Sequence, residues 1–200
     1  MPDRDQRWVE QALEGSQEAY RHLLELYQRP VFSIVIRMVR DPALAEDLTQ
    51  ETFVKAFRAL STFDRSRKFS SWLFTIAHNT TIDHLRRKRL PTVSLEPAGD
   101  DEEGGSLAFL AVATDPSPDQ LVTHSELAAA LELALSGLRV EYAEVLVLRF
   151  QQGLSYEEIS EISGLALGTV KTHLYRARKA LAQALESSGW DPSAYAGNRR

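Results

Sequence analysis

The sequence predicts an all-α protein of two helical domains joined by a flexible acidic linker, the C-terminal domain containing a helix-turn-helix. Three observations carry this. Apolar residues recur at helical spacing through residues 1–90 and again through 123–186, with few candidate strands. Between them lies "PTVSLEPAGDDEEGGSLAFLAVATDPSPDQLV", residues 91–122, which mixes Pro, Gly and Ser without helical period. Helix start and stop signals then fall in register with the apolar pattern on both sides.

In the first domain, helices are expected over about 5–14, 16–29 and 31–40. Asp41 and Pro42 read as an N-cap followed by proline at the first helical position, opening a helix to about Leu60. On its wheel Ala45, Leu48, Thr49, Thr52, Phe53, Ala56 and Leu60 share one arc, while Asp47, Gln50, Glu51, Val54 and Arg58 lie opposite. A short loop, "LSTFDRSRKFS", leads to a helix over about 71–89. In the second domain Ser117, Pro118 and Gln120 form a capping box for a helix to about Leu135, closed by Ser136 and Gly137. Another helix is expected from about Val140 to Gln151, with Gly153 as its stop. Ser155 and Glu158 form a second capping box, opening "YEEISEIS" up to Gly164. The last helix begins near Gly168, and residues 187–200 form a tail.

Charge is partitioned along the chain. Residues 91–122 hold seven Asp/Glu and no Lys/Arg, whereas residues 1–90 hold 15 Lys/Arg against 12 Asp/Glu. The net charge of −5 therefore conceals two local basic surfaces. The absence of cysteine excludes a disulfide framework, thiolate zinc sites and a cysteine nucleophile. The longest apolar run, residues 31–39, is broken by Ser33 and Arg37, so no membrane insertion is expected. The N-terminus is charged where a secretory signal needs an apolar stretch, so the expected location is the cytoplasm.

The first basic surface is the helix "LGTVKTHLYRARKAL". Val170, Leu174, Ala177 and Leu181 form its buried stripe, and Lys171, Thr172, Tyr175, Arg176 and Lys179 lie opposite. A capped short helix, a glycine-containing turn and this helix make a helix-turn-helix pattern, whose early residues reach base edges and whose later cations sit over phosphates. An ordinary amphipathic helix with its cations placed to suit the helix dipole is the plainer alternative.

The second surface ends in four consecutive cations, Arg86, Arg87, Lys88 and Arg89, for which phosphates are natural counterions. Along the same helix Trp72, Ile76, Asn79 and Asp83 form one stripe, read as inner. Its two polar groups either bond internally or belong to a site for an unstacked base, walled by Trp72, Phe63 or Phe69. His78, Asp83 and His84 raise a third possibility, a metal-dependent hydrolase. The two histidines stand about 120° apart around a helix and are poorly placed to share a metal. With no glycine-rich phosphate loop or nucleophile elbow present either, no catalytic residue, metal or cofactor is expected.

"DLTQETFVKAFRAL", "TFDRSRKFSSWLFTIAHNTTIDHLRRKR" and "EVLVLRFQQGLSYEEISEISGLALGTVKTHLYRARKAL" together resemble the bacterial extracytoplasmic-function sigma factors, a two-domain group of the sigma-70 family. The resemblance implies a non-enzymatic subunit that binds core RNA polymerase, recognises two promoter elements and opens the DNA between them. It implies polymerase contacts at Asp47, Gln50, Glu51 and Val54. It places the single-stranded minus-ten element on Thr62, Phe63, Asp64, Lys68, Phe69, Trp72 and Asn79, with Arg86 to Arg89 on nearby phosphates. It places the duplex minus-thirty-five element on Thr169, Lys171, Thr172, Tyr175, Arg176 and Lys179. It also implies an anti-sigma factor as regulator, a monomer when free, and a linker that threads polymerase channels; an acidic segment kept soluble by its charge has the same composition. Three positions depart from the family pattern: Leu138 is followed by Arg139 where Leu-Pro is common, Ala143 stands where arginine is frequent, and His173 where arginine or lysine is usual. A dimeric helix-turn-helix regulator on palindromic half-sites is the alternative.

Overall fold

The computed structural model describes residues 5–88 and 128–187, and the backbone but not the side chain of Arg89. The acidic segment 91–122, the capping box at Ser117 and the tail beyond 187 lie outside the described residues. Among the described residues no strand occurs. The first unit comprises α1 (Gln6–Leu13), α2 (Gln17–Val39), α3 (Pro42–Ala59), a 3₁₀ turn (Leu60–Thr62) and α4 (Phe69–Arg89). The second comprises α5 (128–136), α6 (Val140–Leu146) running into a π turn (Val147–Gln151), α7 (Tyr156–Ser163) and α8 (Leu167–Ser187).

Several ends follow from local chemistry. Asp41 accepts from the Leu44 N–H at 3.1 Å with Pro42 at the first helical position, as the sequence predicts. The Ser155–Glu158 capping box is complete in both directions, at 3.1 and 2.8 Å. Gly164 ends α7 at φ 68°, a conformation that costs a residue with a Cβ. One expectation is corrected: the helices expected over 16–29 and 31–40 are a single helix, α2, with Pro30 inside it. Proline removes one backbone bond there. The buried side chains of Leu23, Tyr27, Val31, Ile34, Val35 and Met38 span that point and hold both halves against the same core.

The buried arc of α3 is the one its wheel defines: Ala45, Leu48, Thr49, Thr52, Phe53 and Ala56 are buried, and Leu60 follows them. In α4 the buried seam is Phe69, Leu73, Ala77 and Thr80/Thr81, with Phe74 and His78 beside it. The stripe read as inner is therefore a rim: Trp72 and Ile76 are half-buried, and Asn79 and Asp83 are exposed.

The two units pack on each other, α2 against α6 and α4 against α7. Polar pairs run through this contact. Buried Arg37 meets Glu132 at 2.6 Å, and His78 Nδ1 meets Glu144 at 2.5 Å. Arg40 donates to the Leu138 carbonyl, and Ser33 to Gln151.

Candidate nucleic-acid and polymerase interfaces

Helix α8 presents its basic face outward. Val170, Leu174 and Ala177 are buried and Leu181 packs partly on the core, while Lys171, Thr172, Tyr175, Arg176 and Lys179 are exposed. Tyr175, at 71% exposure, is a large aromatic that nothing in the fold requires to be outside. Thr172 donates to the Gly168 carbonyl at 2.9 Å, and Thr169 is half-buried in the first turn. Arg149 braces the turn before α7, donating to the Leu154 carbonyl at 2.6 Å with its guanidinium 5.1 Å from the Tyr156 ring centre. Two of the departures are packing positions. Ala143 is buried in α6, and the half-buried His173 ring sits edge-on to Tyr142 with centroids 5.4 Å apart.

On α3, Asp47, Gln50 and Val54 are exposed and Glu51 is half-buried. Glu51 pairs with Lys55 at 2.8 Å, and Lys55 also reaches Thr80 of α4 at 3.2 Å. That bridge between α3 and α4 carries no marker in the sequence beyond the i, i+4 spacing of Glu51 and Lys55.

The third surface is the 63–68 loop with the rim of α4. Thr62 donates to the Ala59 carbonyl at 2.7 Å, ending the helix before it. Asp64 accepts from the Ser66 N–H at 2.9 Å, which shapes the turn and holds its carboxyl below the usual carboxylate range. The aromatic wall is layered. Trp72 tilts over Phe63 and Phe69, with centroids at 5.2 and 5.7 Å, and those two rings are buried. Phe63 and Phe69, both expected from the sequence as DNA contacts, are therefore core: Phe63 is buried, and Phe69 is fully buried and also meets Tyr27 at 5.4 Å. Thr62, Asp64, Lys68 and Asn79 remain exposed together with Arg86, Arg87 and Lys88.

His78, Asp83 and His84 do not assemble into a metal site. His78 is buried against Glu144 and Asp83 is exposed, and among the described residues no group of three His, Asp or Glu could hold a metal ion. No helix among the described residues is long and apolar enough to cross a membrane.

Sequence reasoning missed Arg67, and missed that two loop cations meet α7. Arg67 pairs with Glu161, and Lys68 with Glu158 at 2.8 Å. Burial acts to raise the Glu158 carboxyl, but hydrogen bonds from Lys68 and from the Ser155 N–H outweigh it and hold the group at about 2. A lowered carboxyl keeps its contribution above the unfolded value and loses it as pH falls through the folded one. The Glu158 side-chain carbon resonance is thus expected to titrate near 2. A midpoint near the ordinary 4.5 would mean that Lys68 does not hold it.

Fold and surfaces together define a class, a helix-turn-helix protein with a second helical unit that carries its own basic helix. Residues 23–90 match the family described as Sigma-70 region 2, and residues 128–181 match Sigma-70, region 4. The chain is 34% identical to the ECF RNA polymerase sigma factor SigW of Bacillus subtilis, over 88% of this chain and 94% of that one. It is 35% identical to the RNA polymerase sigma-H factor of Pseudomonas aeruginosa, over 92% and 95%. The solved CnrH in complex with the cytosolic domain of CnrY is similar at TM-score 0.60 and 25% identity, covering 92% of this chain and 99% of that one. The sigma factor RpoE of Bartonella quintana, solved with the anti-sigma factor NepR, is similar at TM-score 0.58 and 25% identity, covering 84% and 96%. The chain belongs to the sigma-70 family, in its extracytoplasmic-function group, and is a sigma factor that directs promoter recognition.

Proposed function

We propose that this sigma factor divides its work among the three surfaces described above. The outer face of α3, with Asp47, Gln50, Glu51 and Val54, docks on core RNA polymerase, which supplies the nucleotidyl chemistry. The early residues of α8, Thr169, Lys171, Thr172 and Tyr175, read the minus-thirty-five element as duplex, and Arg176 and Lys179 sit on its phosphates. The rim of α4 and the loop before it hold the minus-ten element as single strand. Trp72 stacks on an extruded base there, Asn79 meets its edge, and Thr62, Asp64 and Lys68 line the pocket. Phe63 and Phe69 support Trp72 from beneath, and Arg86 to Arg89 neutralise phosphates. Unpairing costs a few kcal/mol, and a pocket that binds only the extruded base offsets part of it.

The observation that supports this reading is that one helix in each unit, α4 and α8, turns cations outward while a different face of the same helix is buried. The seven acids of residues 91–122 suit passage through a basic polymerase channel. A monomeric free protein held by an anti-sigma factor in the cytoplasm completes the reading, supported by the solved relatives bound to CnrY and NepR.

Transcripts made by core polymerase plus this protein on fragmented DNA from its own source genome test the division of labour. Start sites are expected to share two unlike upstream elements. Lys171→Ala is expected to relax one position of the distal element at about 1–3 kcal/mol, whereas Lys179→Ala weakens all promoters alike and lowers the salt dependence. Palindromic half-sites bound by a dimer without polymerase would overturn the reading.

A further inference from the structure

The exposed face of α8 has two flanks of unequal charge. Lys171 and Arg178 border it on one side. On the other, Thr169, His173, Arg176 and Ala180 follow one another at helical spacing, and of these four Arg176 alone is a cation. A helix with its side chains is about 10–12 Å across and the major groove of B-DNA about 12 Å wide, so a helix in the groove has a phosphate strand on each flank. The cations of α8 thus suit one strand better than the other.

The weaker flank is completed from another element. Helix α6 packs along α8, and its Tyr142 ring lies edge-on to His173, the centroids 5.4 Å apart. The Nδ1 of His173 is buried without a hydrogen-bond partner, so this ring is spent on packing. The Arg139 guanidinium in turn stands 5.5 Å from the centre of the Tyr142 ring, within cation–π range. His173, Tyr142 and Arg139 form a row of contacts that leads from the flank short of cations to a positive charge whose side chain is 72% exposed.

Arg139 does nothing for α6 itself. It stands at the N-cap, but its side chain makes no capping hydrogen bond, and a cation at the start of a helix opposes the helix dipole. Its ionic partner Glu141 is 3.6 Å away, beyond hydrogen-bond length, in an exposed pair of the kind that salt screens. A phosphate, with several acceptor oxygens at one point, is the stronger partner for a guanidinium.

We propose that Arg139 is a phosphate contact for duplex DNA bound by α8, gripping the strand beside Thr169, His173 and Ala180, with Tyr142 holding the guanidinium in place. The contact adds backbone affinity and fixes how α8 lies in the groove, and it reads no base. It rests on the minus-thirty-five reading of α8.

The test uses holoenzyme, core polymerase plus the full chain, on a duplex spanning the strongest start site recovered from the source genome and its upstream DNA. Binding is measured over a salt series. Arg139→Ala is expected to lower the salt slope by about 0.9, which is about a fivefold loss of affinity at about 0.15 M salt. Arg139→Lys keeps the charge and is expected to restore most of that loss. Arg21→Ala removes a cation from the exposed surface of α2, in the other unit, and is expected to leave the slope unchanged. Duplexes carrying a single methylphosphonate, one per position across the distal element, then locate the contact. A neutral group at one or two phosphates is expected to weaken the wild type about fivefold and Arg139→Ala not at all. Equal losses for the two proteins at every position overturn the contact, as does an unchanged slope for Arg139→Ala where Lys179→Ala lowers it. If neither Arg139→Ala nor Lys179→Ala changes the slope, the minus-thirty-five reading itself fails and the Arg139 contact with it.

Discussion

Gln50→Ala combined with Glu51→Arg is expected to weaken association with core RNA polymerase by about 30-fold or more, with the fold intact. Truncation of a central interface residue costs about 2 kcal/mol or more, which is about 30-fold in affinity. Gln50 is exposed, and the carboxyl of Glu51 pairs with Lys55, the partners each 42% exposed. Losing such a pair costs about 0.5 kcal/mol, and a guanidinium in place of that carboxyl, one turn before Lys55, adds a repulsion of similar size. The buried arc from Ala45 to Ala56 is untouched. Val54, an apolar side chain 48% exposed among polar neighbours, is the natural anchor beside them. Sedimentation or fluorescence titration with purified core polymerase measures the affinity, and a thermal melt of each protein alone checks the fold. Undiminished affinity would move the polymerase contact off α3.

What could be read from the sequence was whatever is decided within one or two helical turns. The cap at Asp41, the reciprocal Ser155–Glu158 box and the stop at Gly164 each need partners at most three residues away, and each forms. The α3 wheel succeeded because that helix packs on one side only. Helix α4 has three environments around its axis: the first unit's core, the second unit, and solvent. Periodicity alone does not say which stripe faces which, and the Trp72–Asp83 stripe, inner by its pattern, is a rim. The contact between units was illegible for a related reason. Its partners are far apart in the chain, His78 from Glu144 by 66 positions and Ser33 from Gln151 by 118. From the sequence, His78 beside Asp83 and His84 looked like a fragment of chemistry; in the fold its polarity is spent on a buried carboxylate in the other unit. Pro30 misled because its local cost is real, and only the apolar residues on both sides of it reveal that burial wins.

Phe69→Ala is expected to act on stability before it acts on DNA. The ring is fully buried against Tyr27, Phe63 and Trp72 at the first residue of α4. Removing a buried phenyl ring leaves a cavity that costs about 3–5 kcal/mol, a large share of the roughly 5–15 kcal/mol that holds a domain folded. The urea midpoint should fall accordingly, and single-strand binding should fall only in proportion to the folded fraction. Trp72→Ala provides the contrast. Its ring is half-buried, so it should cost less stability yet remove the stacking face outright, at about 1–3 kcal/mol of single-strand affinity. If Phe69→Ala instead left the urea midpoint in place and abolished binding, Phe69 would have to leave the core to meet a base, and the layered arrangement would be wrong. The two substitutions separate support from contact because burial assigns them different costs, although the residues lie three positions apart on one helix.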